Sequence, residues 1–155
     1  LGEGYEGQQF RTKDGVVTQL VSERGARDDG EDVALIAVPA TGAYLSVLRT
    51  ATAAIAARLQ FTLDEIEDLR IAVDEACAIL LAVADLKAEL ACRFTITDGS
   101  LTVAASVTTP ATRVRLPSGE SFAWQVLSAL TDDVTAEAGD NRATICLTKR
   151  RPPSL

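Results

Sequence analysis

Apolar positions recur along this chain in two rhythms that alternate in blocks. Residues 33–38 (VALIAV) form a compact β-prone run closed by Pro39, whose ring offers no amide proton to continue a ladder. From Tyr44 to Leu59 the spacing changes. Leu45, Leu48, Ile55 and Leu59 fall on one helical period, with Ser46, Arg49, Thr50 and Arg58 on the polar side. A second helix starts at Thr62-Leu-Asp-Glu65, the pattern in which Thr and Glu side chains satisfy free amides at a helix start. Ile66, Leu69, Val73, Ala76 and Leu80 then recur at steps of three and four.

Beyond that helix the period drops to two. Residues 90–97 alternate, Asp98-Gly99 predicts a hairpin turn, and residues 101–107 alternate again. Residues 108–119, rich in Thr and holding Pro110 and Pro117, predict a loop. A third helix is expected over 122–130, carrying Trp124, Val126, Leu127 and Leu130. Asp132-Asp133-Val134 leads into a short strand, and Gly139-Asp-Asn turns into a last strand over 143–148. The order predicts an α/β (α+β) sandwich: helices layered on one face of a mixed, mostly antiparallel sheet.

One domain is expected, over 33–149. Residues 1–32 scatter glycines among charges and glutamines and predict a flexible N-terminal extension. Its Gly-Glu-Gly-Tyr-Glu-Gly opening is no phosphate loop, because no strand precedes it and its acids repel phosphate. Residues 150–155, with Lys149 before them, read as a solvated basic tail.

Charge and composition narrow the chemistry. Twenty-two acidic residues against 15 basic give a net charge of −7, which argues against direct nucleic-acid binding. The sign suits a partner with a basic face, and equally a merely soluble surface. No histidine is present, so a histidine base, a histidine-held metal and histidine autophosphorylation are excluded, and no metal site is assigned. Cys77, Cys92 and Cys146 lie far apart in apolar surroundings and read as reduced, packed thiols of a cytoplasmic protein. No apolar run is long enough for a membrane helix, and the N-terminus, which opens on Leu1, shows no leader pattern.

The segment from Leu63 to Cys77 (LDEIEDLRIAVDEAC) resembles the second helix of bacterial anti-sigma regulatory factors. These are serine protein kinases of the GHKL (Bergerat-fold) ATPase superfamily, and the match looks closest to actinobacterial members. The helix bearing Arg49, the hairpin at Gly99, the stretch from Trp124 to Val134 and the final ATICL strand follow in the family's order, over about residues 33–149. The resemblance implies an α/β sandwich that sequesters an alternative sigma factor, controlled by an anti-anti-sigma antagonist competing for the same surface. It also implies a homodimer paired through the sheet edge and first helix. The alternative it implies is an active ATP-dependent serine kinase, using ATP and magnesium to phosphorylate the antagonist.

Carried over residue by residue, the family's nucleotide site is altered here. ATP-using members place a Glu and an Asn four residues apart on the second helix, one turn apart on one face. Glu75 stands at the acid position as the candidate catalytic residue, and Ile79 stands where the Asn belongs. Magnesium requires oxygen ligands, which isoleucine lacks. Asp74 projects about 100° around the helix and is no simple substitute. The family's Asp-x-Gly-x-Gly box falls on residues 104–110 (AASVTTP), without acid or glycine. Its later Gly-x-Gly falls on Ser121 and Ala123, with Gly119 displaced. No ATP or magnesium is therefore assigned unless the kinase alternative holds. Glu75 reads equally as a solvated helix acid. Arg49 falls where the family grips sigma factor and antagonist alike, and reads as the partner-binding residue or as an ordinary exposed arginine. Trp124 reads as core or as a lid over the emptied pocket.

Overall fold

The computed structural model describes residues 10–12, 15–17, 30–110 and 112–153. A five-stranded sheet is built from β3 (Asp32–Pro39), β4 (Glu89–Thr97), β5 (Ser100–Thr108), β6 (Asp133–Gly139) and β7 (Arg142–Arg150), in the order β3-β4-β5-β7-β6. Every neighbouring pair is antiparallel, in line with the mostly antiparallel sheet expected and without its parallel member. The reason lies in the connections. The chain leaves β3 through two successive helices that go out and come back, so β4 begins where β3 ended, with Pro39 opposite Glu89. Ala40 donates to the Ala88 carbonyl at 3.0 Å and closes that loop. The remaining neighbours include two tight hairpins. Gly99 has φ +81°, and Asp140 and Asn141 have φ 53° and 58°, the left-handed backbone that short hairpin turns need.

The helices are α1 (Leu45–Arg58), α2 (Leu63–Val83) and α3 (Phe122–Leu130). α2 begins at the expected box: Glu65 N–H donates to Thr62 Oγ1 at 3.2 Å, and Thr62 N–H donates to Glu65 Oε2 at 2.7 Å. Asp64 and Glu65 also place negative charge at the positive end of the helix. Thr62→Ala is expected to cost about 1 kcal/mol in chemical denaturation while leaving the fold intact.

Alternation along the strands sorts the two faces of the sheet. Leu90, Cys92 and Phe94 of β4, Leu101, Val103, Ala105 and Val107 of β5, and Ala143, Ile145 and Leu147 of β7 are all buried. They meet Leu69, Val73, Ala76 and Leu80, which the three-and-four spacing of α2 marked, together with Ala72 and Cys77 beside them, while Ile66 is only half-buried. α2 contacts β5, β7, α1 and α3, so it is the central helix of the layer. The opposite sheet face carries Thr95, Thr102, Thr135, Thr144 and Thr148, with the Thr102 and Thr148 hydroxyls 3.0 Å apart.

Two stretches near the chain ends carry contacts that the sequence pattern did not announce. Phe10–Thr12 (β1) and Gly15–Val17 (β2) form a short antiparallel ladder inside the stretch expected to be a loose arm. The rest of that arm, residues 1–9, 13–14 and 18–29, lies outside the described residues, as do 154–155. The start of the basic tail makes specific contacts, although Arg150, Pro152 and Pro153 stay exposed. β7 runs on to Arg150, and Lys149 Nζ donates to the Leu130 carbonyl at 3.0 Å and lies 3.6 Å from Asp68. Arg150 pairs with Asp133, and Arg151 donates to the carbonyls of Gly99 and Leu59. The pattern hid this because Lys149 occupies an inward-facing register position, where its alkyl stem packs and its ammonium reaches the rim.

Candidate functional site

α1 and α2 are joined by a short turn over residues 59–62, so they pack side by side and antiparallel. Arg49 and Asp74 lie at similar distances from that turn, and their side chains meet. Arg49 Nε donates to Asp74 Oδ1 at 3.2 Å, and Arg49 Nη2 stands 3.1 Å from the same oxygen. The two side chains are 40% and 41% exposed, so the pair lies in the seam between the helices within reach of solvent. This contact was missed from the sequence. The signal for it was present: a short turn between two amphipathic helices brings opposite charges at matching distances face to face.

Glu75 follows Asp74 and is half-buried on α2. Ile79, one turn later, is half-buried and packs against the apolar core. Ser121 is the N-cap of α3: its Oγ accepts from Trp124 N–H at 3.2 Å and donates to the Ser118 carbonyl at 3.0 Å. Ala123 lies in the first turn of α3 and is half-buried. Trp124 is also half-buried and stands outside the apolar core cluster.

A cavity of about 500 Å³ opens between the segment following β5 and the β6–β7 turn, lined by residues 109–110, 112–115 and 138–141. Glu75, Ile79, Ser121 and Ala123 are not among its lining residues, so the structure does not gather the four expected positions into this space. Nor do the residues present fit magnesium. Ile79 is a hydrocarbon packed on the core, and no group of three or more acidic or cysteine side chains among the described residues is placed to hold a metal. Residues 104–110 offer only Ala, Ser, Val, Thr and Pro side chains at the exit of β5.

Two of the three cysteines are packed as expected. Cys77 and Cys92 are buried, and the side-chain hydrogen bond between them, together with burial, pushes the Cys77 thiol far above its ordinary range. Cys146 differs: it projects from the threonine-bearing sheet face and is only half-buried, although burial still raises its thiol. No helix among the described residues is long and apolar enough to cross a membrane.

Comparison with known proteins places this geometry. No known family profile matches the chain. It is 39% identical over 69 residues to the serine-protein kinase RsbW of Bacillus subtilis (strain 168), covering 43% of each chain. It is 38% identical over 90 residues to the anti-sigma-F factor RsbW of Mycobacterium tuberculosis, covering 58% of this chain and 52% of that protein. The chain thus spans about half the length of the curated relatives it matches. The crystal structure of the RsbU and RsbW domains of Rv1364c from Mycobacterium tuberculosis superposes with a TM-score of 0.59 at 16% identity, covering 77% of this chain and 32% of that one. The fold is therefore shared with part of that two-domain chain, and the sequence is similar to segments of proteins named RsbW, one a serine-protein kinase and one an anti-sigma-F factor. The matches include both Bacillus and Mycobacterium and do not single out the actinobacterial type.

Proposed function

We propose that this chain is an anti-sigma factor: it binds and sequesters an alternative sigma factor in the cytoplasm and is released by an anti-anti-sigma antagonist. The observation that carries the reading is the 90-residue likeness to a protein named as an anti-sigma-F factor, on the fold of an RsbW domain. Arg49, in the open seam between α1 and α2, supplies the partner-binding cation. A homodimer through the sheet edge and first helix goes with the same reading. It is supported by β3, an edge strand whose Val33 and Leu35 side chains are exposed.

Restraint of the sigma factor is favoured over catalysis by Ile79. An isoleucine packed on the core supplies no oxygen where an ATP-using relative would hold magnesium, so no phosphoryl-transfer step is assigned to this chain. The second reading is an active serine kinase acting on the antagonist. It is favoured by Glu75 at the acid position and by the Bacillus subtilis relative being a serine-protein kinase.

The test uses the sigma-F factor of Mycobacterium tuberculosis as the binding probe, with a candidate antagonist, ATP and magnesium in a parallel reaction. Calorimetry is expected to show a complex with sigma-F, and phosphoserine analysis is expected to show no modified antagonist. Stoichiometric phosphorylation would transfer the assignment to the kinase reading. Glu75→Ala is expected to leave sigma-F affinity nearly unchanged, and a large loss would place Glu75 in the interface.

A further inference from the structure

Asp74 contacts Arg49 in a particular way. Both contacts, from Nε at 3.2 Å and from Nη2 at 3.1 Å, converge on one oxygen, Oδ1. A guanidinium is a planar group with two hydrogen-bonding edges: one formed by Nε and Nη2, the other by Nη1 and Nη2. Asp74 occupies the first edge. No other hydrogen bond or ion pair joins Arg49 to the described residues, so none of them takes the second edge, the fork that matches a carboxylate with two parallel bonds.

We propose that Asp74 is a positioning residue: it holds Arg49 by one edge so that the other edge receives a carboxylate of the protein partner. The inference deepens the sigma-binding assignment and rests on it. An ion pair with both side chains about two-fifths exposed adds little to fold stability, so holding the helices together does not account for it. Its larger effect is on freedom of movement. A free arginine loses many rotamers when a partner immobilises it, whereas one already held in a single geometry loses few. Asp74 is rooted on the central helix α2, which has the core beneath it, so the brace has a fixed footing. Arg70, one turn earlier on α2, is occupied with Glu67 at 2.9 Å and does not compete for Asp74. The partner chemistry that fits is an acidic side chain, Asp or Glu, presented by a folded protein surface.

A brace and a decoy make opposite predictions. If Asp74 positions Arg49, Asp74→Asn weakens sigma-F binding by about tenfold. Arg49→Ala then weakens it at least as much, and the double variant is no worse than Arg49→Ala alone. If Asp74 instead competes with the partner for the guanidinium, Asp74→Asn tightens binding. That result, an unchanged affinity, or additive losses in the double variant would overturn the proposal. A second readout needs no partner. In nitrogen-15 NMR of the full chain, the Arg49 Nε–H signal is expected to be ordered in the wild type and motionally averaged in Asp74→Asn. Equal mobility in both overturns the brace. If the wild-type protein fails to bind sigma-F, the sigma assignment falls, and the brace is judged on the Nε signal alone.

Discussion

Arg49→Glu is expected to weaken sigma-factor binding at least tenfold, about 1.4 kcal/mol or more, without unfolding the domain. The wild-type guanidinium lies in the seam between α1 and α2 with Asp74 as its partner. Reversing its charge removes the donor fork and sets a second carboxylate beside Asp74, so an acidic partner residue meets repulsion in place of attraction. The structural cost is small by comparison. Both side chains are about two-fifths exposed, and water screens the new like-charge contact to within about 1 kcal/mol. Calorimetry against the sigma-F probe reads the affinity, and thermal melting reads the fold. An affinity equal to wild type would remove Arg49 from the interface and leave Asp74 as an ordinary surface partner.

Phe94→Ala is expected to destabilise the domain by about 3–5 kcal/mol. Phe94 is wholly buried on β4, paired with Ala34 on one side and Val103 on the other. It is among the largest side chains of a core that also holds Leu69, Leu80 and Leu127 from the helix layer. Removing the ring loses its transfer energy and leaves a hole that the surrounding backbone, tied into ladders on both sides, closes only in part. Against a typical domain stability of about 5–15 kcal/mol, this loss lowers the urea midpoint substantially with little change in slope. A loss under about 1 kcal/mol would mean that Phe94 is not part of the load of the core. The contrast with Arg49→Glu is informative, since one substitution spends stability and spares the partner surface, and the other does the reverse.

Secondary structure was legible in this chain because it is written in short-range terms. The Thr62–Glu65 box, the three-and-four stripe of α2, the Asp98-Gly99 turn and the alternation on either side of it each involve residues within a few positions of one another. Periods of 3.6 and 2 survive any tertiary arrangement that buries one face. That Ile79 lies one turn from Glu75 was legible for the same reason, since a four-residue offset is a property of the helix itself.

Contacts between distant segments were decided only when the sheet and helix layer assembled. The sequence alone established the element order and the capped central helix, and placed an isoleucine, with no oxygen to offer, at position 79. The fold decided that every sheet neighbour runs antiparallel, because the α1–α2 pair returns the chain to its starting edge. It decided that Lys149, Arg150 and Arg151 are anchored, through Asp68, Asp133 and carbonyls far away in the chain. It also joined Arg49 to Asp74, two charges that each look solvated in their own helix. Local patterns report which face a residue occupies; what waits on that face is set by segments whose approach depends on the whole core closing.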